Sequence, residues 1–192
     1  MHHIYHTNAF ILESRPKGEG NKFITLYTRE LGLVFAMAQS VRELRSKVRY
    51  AVQDFSLAKV DLVKGKEVWR VTSATPVLNI ASRNVHSMRL IARVFSLVQK
   101  LCAGEEANEI LFDDLKSFYE GVLDVDSKEK REQLELITVV RILHHLGYLG
   151  KDEDTSAIIS GGLSVSLWGN SDFERALLVK KINTALKETQ LM

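Results

Sequence analysis

Apolar and polar positions alternate with a period of two over the first 80 residues and then recur at steps of three and four. "HTNAFILES" is an apolar-rich β run ended by Arg15-Pro16 and the turn "KGEGN". "KFITLYT" alternates, with Phe23, Thr25 and Tyr27 on one face and Ile24, Leu26 and Thr28 on the other. "LVFAMAQ" follows a tight connection, "RELG", in which Gly32 can take a positive φ. "AVQDFSLAKVDLV", a turn at Lys64-Gly65 and "KEVWRVTSA" complete five short strands. That number with turn signals between them predicts a five-stranded Greek-key barrel of the OB type.

From about residue 82 the period is helical. "NVHSMRLIARVFSLVQKLCAG" places Val85, Met88, Ile91, Phe95, Val98 and Cys102 on one stripe, with Gly104 just past its end. "EEANEILFDDLKSFYEGVL" repeats the pattern through Ile110, Leu111, Leu115, Phe118 and Val122. "SKEKREQLELITVVRILHHLG" gives a third helix, capped by Ser127 and stopped by Gly147. The Gly/Ser-rich "SAIISGGLSVSLWGN" interrupts, and "DFERALLVKKINTALKETQ" forms the last helix with Ser171 or Asp172 as cap. The expected architecture is α+β by segregation, an OB-type barrel over residues 1–80 followed by an all-α helical domain over 81–192.

Composition adds exclusions. With 45% apolar and 26% charged residues and two prolines, the chain is neither disordered nor fibrous. No apolar run reaches the ~18 residues of a membrane span, and the start lacks the features of a secretory signal. One cysteine, Cys102, excludes internal disulfides and a cysteine cluster for zinc. The reading is a cytoplasmic protein with no membrane association.

Charge sharpens it. Residues 1–80 hold 12 Lys/Arg against 7 Asp/Glu, and residues 81–192 hold 14 against 17. The stretch "QSVRELRSKVRY", 39–50, carries Arg42, Arg45, Lys47 and Arg49 against Glu43 alone. Those spacings do not fit one side of a strand; a mobile loop or a single helical turn lets the cations sweep a phosphate backbone. Lys17, Lys22 and Arg29 lie at neighbouring turns, and Tyr27, Phe35 and Tyr50 are possible stacking faces. Solvated surface is the plain alternative for such a run, as core packing is for Tyr27, Phe35, Trp69 and Trp168.

No enzyme is legible. His144 and His145 are about 100° apart on a helix and cannot easily grip one ion, and no acid or cysteine at ligand spacing accompanies His2, His3 and His6. No Gly-x-Ser-x-Gly elbow or Gly-Lys-Ser/Thr phosphate loop occurs. Neither a metal nor another cofactor is expected, and Cys102 on an apolar stripe reads as inert.

An initial Tyr5-x-Thr7, the Arg15-Pro16-x-Gly18-Glu19 turn, the Thr28-Arg29-Glu30-x-Gly32 hairpin, Arg42-x-x-x-Ser46-Lys47 and Gly65-Lys66-x-x-Trp69 occur in order over about 75 residues. Together they resemble the N-terminal OB domain of the RecO family of recombination mediators. Two departures stand out: a four-cysteine zinc module of many members is replaced by "KDEDTSAIISGGLSVSLWGN", and a glycine common before the basic element is Ser40.

The resemblance implies a non-catalytic role in DNA repair: binding single- and double-stranded DNA, annealing strands, and, with RecR, helping to load RecA onto single strands coated by single-strand binding protein. It implies DNA contacts at Arg42, Arg45, Lys47 and Arg49, with Lys17, Lys22 and Arg29 at the margin, and a nucleoid-associated location. It also implies a site for the C-terminal tail of single-strand binding protein on the helical domain, where Arg89, Arg93 and Arg141 are the candidates. An OB-fold RNA-binding module, or a protein adaptor without nucleic-acid binding, is the alternative that residue types leave open.

Overall fold

The computed structural model describes residues 3–41, 46, 48–79, 85–161, 163 and 172–189. Five strands come first: β1 (Ile4–Lys17), β2 (Asn21–Thr28), β3 (Gly32–Ala38), β4 (Leu57–Lys64) and β5 (Trp69–Leu78). They close into a barrel in the order β1-β2-β3-β5-β4, antiparallel throughout except for the short parallel contact of β3 with β5. This is the OB arrangement that the alternation predicts. Five helices follow: α1 (Val85–Leu101), α2 (Glu109–Asp124), α3 (Lys128–His145), α4 (Glu153–Ser160) and α5 (Asp172–Glu188). Among the described residues, no helix is long and apolar enough to cross a membrane.

β1 outruns its sequence signal because it serves two neighbours. Ile4–Phe10 pair with β4, and Ala9–Lys17 pair with β2, with a bulge between Ile11 and Glu13 that bends the strand from one partner to the other. Pro16 pairs with Lys22 of β2 in a stretch that β4 no longer reaches, an edge position where proline is tolerated. Inside, Ala9, Ile11, Ile24, Leu26, Val34, Ala36, Ala58, Val60, Leu62 and Trp69 form an apolar core. Small Ala and Val positions suit the narrow interior of five strands.

The chain divides into two compact units: residues 1–88 with 102–108, and residues 89–101 with 109–192. The segment after α1 thus returns to the barrel. It supplies the Gly104 carbonyl to the Leu33 N–H at 3.0 Å, beside the part of β3 that precedes its contact with β5. Gly32, at φ +70°, makes room for it: a Cβ there would lie 2.1 Å from the Glu106 carbonyl oxygen. Glu105 of the same segment accepts from the Trp69 indole at 2.8 Å and the Lys64 ammonium at 2.9 Å, which hold its carboxyl below the ordinary range.

The helical unit has its own core. Leu111, Leu115, Phe118 and Val122 of α2 are buried as their spacing predicts, but Ile110 is exposed, because the buried stripe runs instead through Leu111, Phe112 and Asp114. Likewise Val85 of α1 is exposed while Leu90, Ile91, Val94, Phe95 and Val98 are buried. Ser127 caps α3 by accepting the Lys130 N–H, and Gly147 ends it at φ +79°. α4 lies where the sequence reads as an interruption. A reciprocal cap creates it: Asp152 accepts the Thr155 N–H, and Thr155 accepts the Asp152 N–H.

Candidate nucleic-acid interface

The connections β1–β2 and β3–β4 leave the barrel at the same end, since Lys22 of β2 is paired with both Pro16 of β1 and Ala38 of β3. There Ser40 donates its N–H to Asn21 Oδ1 at 3.0 Å. Ser40 takes φ +52°, a left-handed conformation that glycine adopts without strain. The serine therefore preserves the turn that a glycine would make.

The basic stretch that begins here is fastened at both ends by apolar residues. Val41, Ala51 and Val52 are buried in the barrel core and Val48 packs against it. The apolar runs on either side of the charge are thus accounted for by the core. Of the four cations, Arg42, Arg45 and Lys47 lie outside the described residues. Arg49 is half-buried, beside an exposed Tyr50. Lys17 is exposed at this end. Lys22 is half-buried and donates to Ser14 Oγ at 3.0 Å, and that hydroxyl donates to Asp54 Oδ1 at 2.5 Å. Arg29 is half-buried on the β2–β3 turn at the opposite end, so topology separates it from Lys17 and Lys22.

The three possible stacking residues part company. Tyr27 is 1% exposed, and burial pushes its phenol pKa up, so it offers no ring face. Phe35 is 43% exposed and lies parallel to Phe23, with ring centroids 6.1 Å apart and planes 12° apart. Phe23 is not among the stacking candidates of the sequence; across the strands it pairs with Met37, which in turn pairs with Arg70. Only strand register brings these residues together, and nothing local in the sequence encodes it.

In the helical unit, Arg89 is exposed. Arg93 is forked onto Glu135 at 2.6 and 2.7 Å. Arg141 is drawn inside, 8% exposed. Its Nε and Nη2 donate to the two Asp114 oxygens at 2.8 and 2.7 Å, and Nη1 faces the carbonyls of Ile158, Ile159 and Gly161 at the end of α4. This guanidinium is occupied by its own chain and leaves no fork for a partner's carboxylate. His145 Nε2 lies 2.9 Å from Asp114 Oδ2, and burial holds its imidazole below its ordinary pKa against the pull of Asp114. Burial, with Glu106 nearby, raises the half-buried Cys102 thiol to about 11, which keeps it protonated and unreactive at neutral pH.

Residues 1–80, the five strands and their turns, match the family described as Recombination protein O N terminal. The barrel is similar to the N-terminal domain of the RecO family. Over 177 residues it is 27% identical to the DNA repair protein RecO of Alkaliphilus metalliredigens, covering 90% of this chain and 69% of that protein. It is 30% identical over 152 residues to the DNA repair protein RecO of Dehalococcoides mccartyi, covering 76% of this chain and 57% of the relative. It is 34% identical over 111 residues to that of Pelotomaculum thermopropionicum, covering 57% and 43%. The chain thus spans about half the length of two of these relatives and somewhat over two thirds of the third.

Proposed function

We propose that the chain is a recombination mediator in DNA repair. Its barrel binds single- and double-stranded DNA through the phosphate backbone and promotes annealing. Together with RecR it helps load RecA onto single strands coated by single-strand binding protein. Annealing follows from charge: two polyanions repel, and a cationic rim that holds both lowers the cost of their approach. The reading involves no covalent chemistry and places the protein in the cytoplasm with the nucleoid.

The observation that carries it is the anchoring of the basic stretch. Val41 before the stretch and Val48, Ala51 and Val52 toward its end pack in the barrel core, at the end of the barrel where Lys17 is exposed, which supports the reading. Arg42, Arg45, Lys47, Arg49 and Lys17 are the proposed phosphate contacts; Lys22, tied to Ser14, contributes less, and Arg29 would meet only DNA that wraps to the other end. Arg89 and Arg93 remain the proposed cations for the carboxylate tail of single-strand binding protein, with Arg141 removed from that role by its burial.

The test is a gel shift over a salt series with wild type and Arg45→Glu/Lys47→Glu. The double variant is expected to weaken binding to all DNA sequences alike and to lower the slope of log affinity against log salt by about two. Unchanged affinity and slope would remove the loop from the mechanism. Tighter binding of structured RNA than of single-stranded DNA would favour an RNA-binding module, and recovery of RecR without any shift would favour an adaptor.

A further inference from the structure

Strand register sets two polar residues on the face that lines the barrel. Ser14 of β1 is paired with Ile24, and Lys22 of β2 with Ala38, and both apolar partners lie in the core. Directly paired residues share a face, so Ser14 and Lys22 point inward at the end of the barrel where β1 stops. Both are half-buried. The Lys22 ammonium donates to Ser14 Oγ at 3.0 Å, and the Ser14 hydroxyl donates to Asp54 Oδ1 at 2.5 Å. A hydroxyl thus joins a cation to a carboxylate whose residue is exposed.

The turn that carries Asp54 is held in a strained form. Phe55 takes φ +65°, a left-handed conformation that a bulky side chain rarely adopts. Its N–H donates to the Ile11 carbonyl at 2.8 Å, and the Ile11 N–H donates to the Ser56 carbonyl at 2.9 Å, both beside the β1 bulge. The buried Ser56 hydroxyl lies 2.8 and 2.7 Å from the carbonyls of Ala51 and Gln53. Strain of this kind persists where the surroundings over-determine it, and it collects at ligand clamps and switches. The turn so fixed sets a carboxylate against Ser14, a few residues past the basic stretch.

An ammonium and a hydroxyl side by side are donors that a phosphate oxygen can take. A carboxylate oxygen is the protein's own anionic acceptor, and Asp54 already holds the hydroxyl. We infer that Asp54 is a built-in competitor for phosphate: through Ser14 its carboxylate occupies an anion subsite at the barrel's end whose second donor is Lys22. Nucleic-acid phosphate gains these two donors only by displacing Asp54, so the carboxylate limits affinity and favours release. Because Asp54 is exposed, it passes into water at little cost when displaced. This rests on the nucleic-acid reading above and adds to it a restraint that acts from within the protein.

The experiment compares wild type, Asp54→Ala, Lys22→Met and the double variant by fluorescence anisotropy over a salt series. The probes are a labelled oligo-dT of about 20 nucleotides and a duplex of the same length. Asp54→Ala is expected to bind both about threefold tighter and to steepen the slope of log affinity against log salt by about one, as Lys22 takes a phosphate. In the Lys22→Met background the same change should bring no gain. Should the alanine variant lower the melting temperature, Asp54→Asn removes the charge while keeping an acceptor in the turn, and a gain that depends on Lys22 is again expected. An equal gain with and without Lys22 would make Asp54 one more negative charge and overturn the competitor while leaving backbone binding intact. No gain in either background would overturn it as well. Failure of the wild type to bind either probe would overturn the nucleic-acid reading and the competitor with it.

Discussion

In the barrel unit Lys17 and Arg70 stand in water and the core cluster is apolar throughout, whereas in the helical unit Arg141 is buried against Asp114. Other helical cations are likewise paired with acids of the same unit: Arg93 with Glu135, Arg175 with Glu132, and Lys181 with Asp152 and Asp154. The contrast follows from where backbone polar groups go. A closed barrel satisfies its N–H and C=O groups strand to strand and asks nothing of side chains. Helices leave carbonyls unpaired at each C-terminus, and α4, whose end comes close to Arg141 of α3, uses the guanidinium as its donor. Cations in the helical unit are therefore partly structural, while Lys17 and Arg70 of the barrel unit stay exposed.

The largest expected effect tests the buried side of this contrast. Arg141→Ala strands the Asp114 carboxylate in the interior and is expected to cost about 3–5 kcal/mol in chemical denaturation. Replacing both partners, as Asp114→Leu with Arg141→Met, should cost less than the single change. A loss under about 1 kcal/mol for Arg141→Ala would place that guanidinium among the dispensable surface charges and break the comparison.

The barrel's counterpart is a backbone fit. Gly32→Ala puts a side chain at φ +70° and drives its Cβ into the Glu106 backbone. The expected cost is about 2 kcal/mol or more, with faster hydrogen exchange at the Leu33 amide as the 102–108 segment lifts. Normal protection at Leu33 would mean that this segment is not needed to complete the barrel.

The smallest effect concerns an exposed pair. Lys181 and Thr155 hold the Asp152 carboxyl at about 2, below its ordinary 3.8. Because the folded state depresses this pKa, the stabilisation is present above about pH 4 and disappears as pH falls toward 2. Asp152→Asn keeps an N-cap acceptor, so it should cost less than about 1 kcal/mol at neutral pH and flatten that acid limb. The measurement is urea stability of both proteins from pH 6 down to about 2. An acid limb identical to wild type would assign the pH dependence to other carboxylates.

Much of the fold is legible because it is written in short-range periods. The change from steps of two to steps of three and four marks where strands give way to helices, and Ser127 and Gly147 bound α3 as their chemistry requires. α4 escapes notice because its eight residues carry too short an apolar pattern and its reciprocal cap uses threonine in place of the usual glutamate. The rim of the candidate site is legible as charge, and its anchors Val41, Val48, Ala51 and Val52 explain why that charge sits between apolar runs. Phe23, Met37 and Arg70 are not legible as a group, since they are up to 47 positions apart and meet only through register.

Taken alone, the order of residues determined the two architectures, the uneven division of charge and the family motifs, because each depends on neighbours within a few positions. Tertiary structure decided which arginines are paired with acids of the chain, Arg141 with Asp114 and Arg93 with Glu135. It also returned residues 102–108 to the barrel and set the half-buried Phe23 ring parallel to the exposed Phe35 ring. Such outcomes turn on desolvation and close approach between distant segments. A guanidinium is identical in every sequence position until the fold supplies, or withholds, a buried carboxylate to meet it.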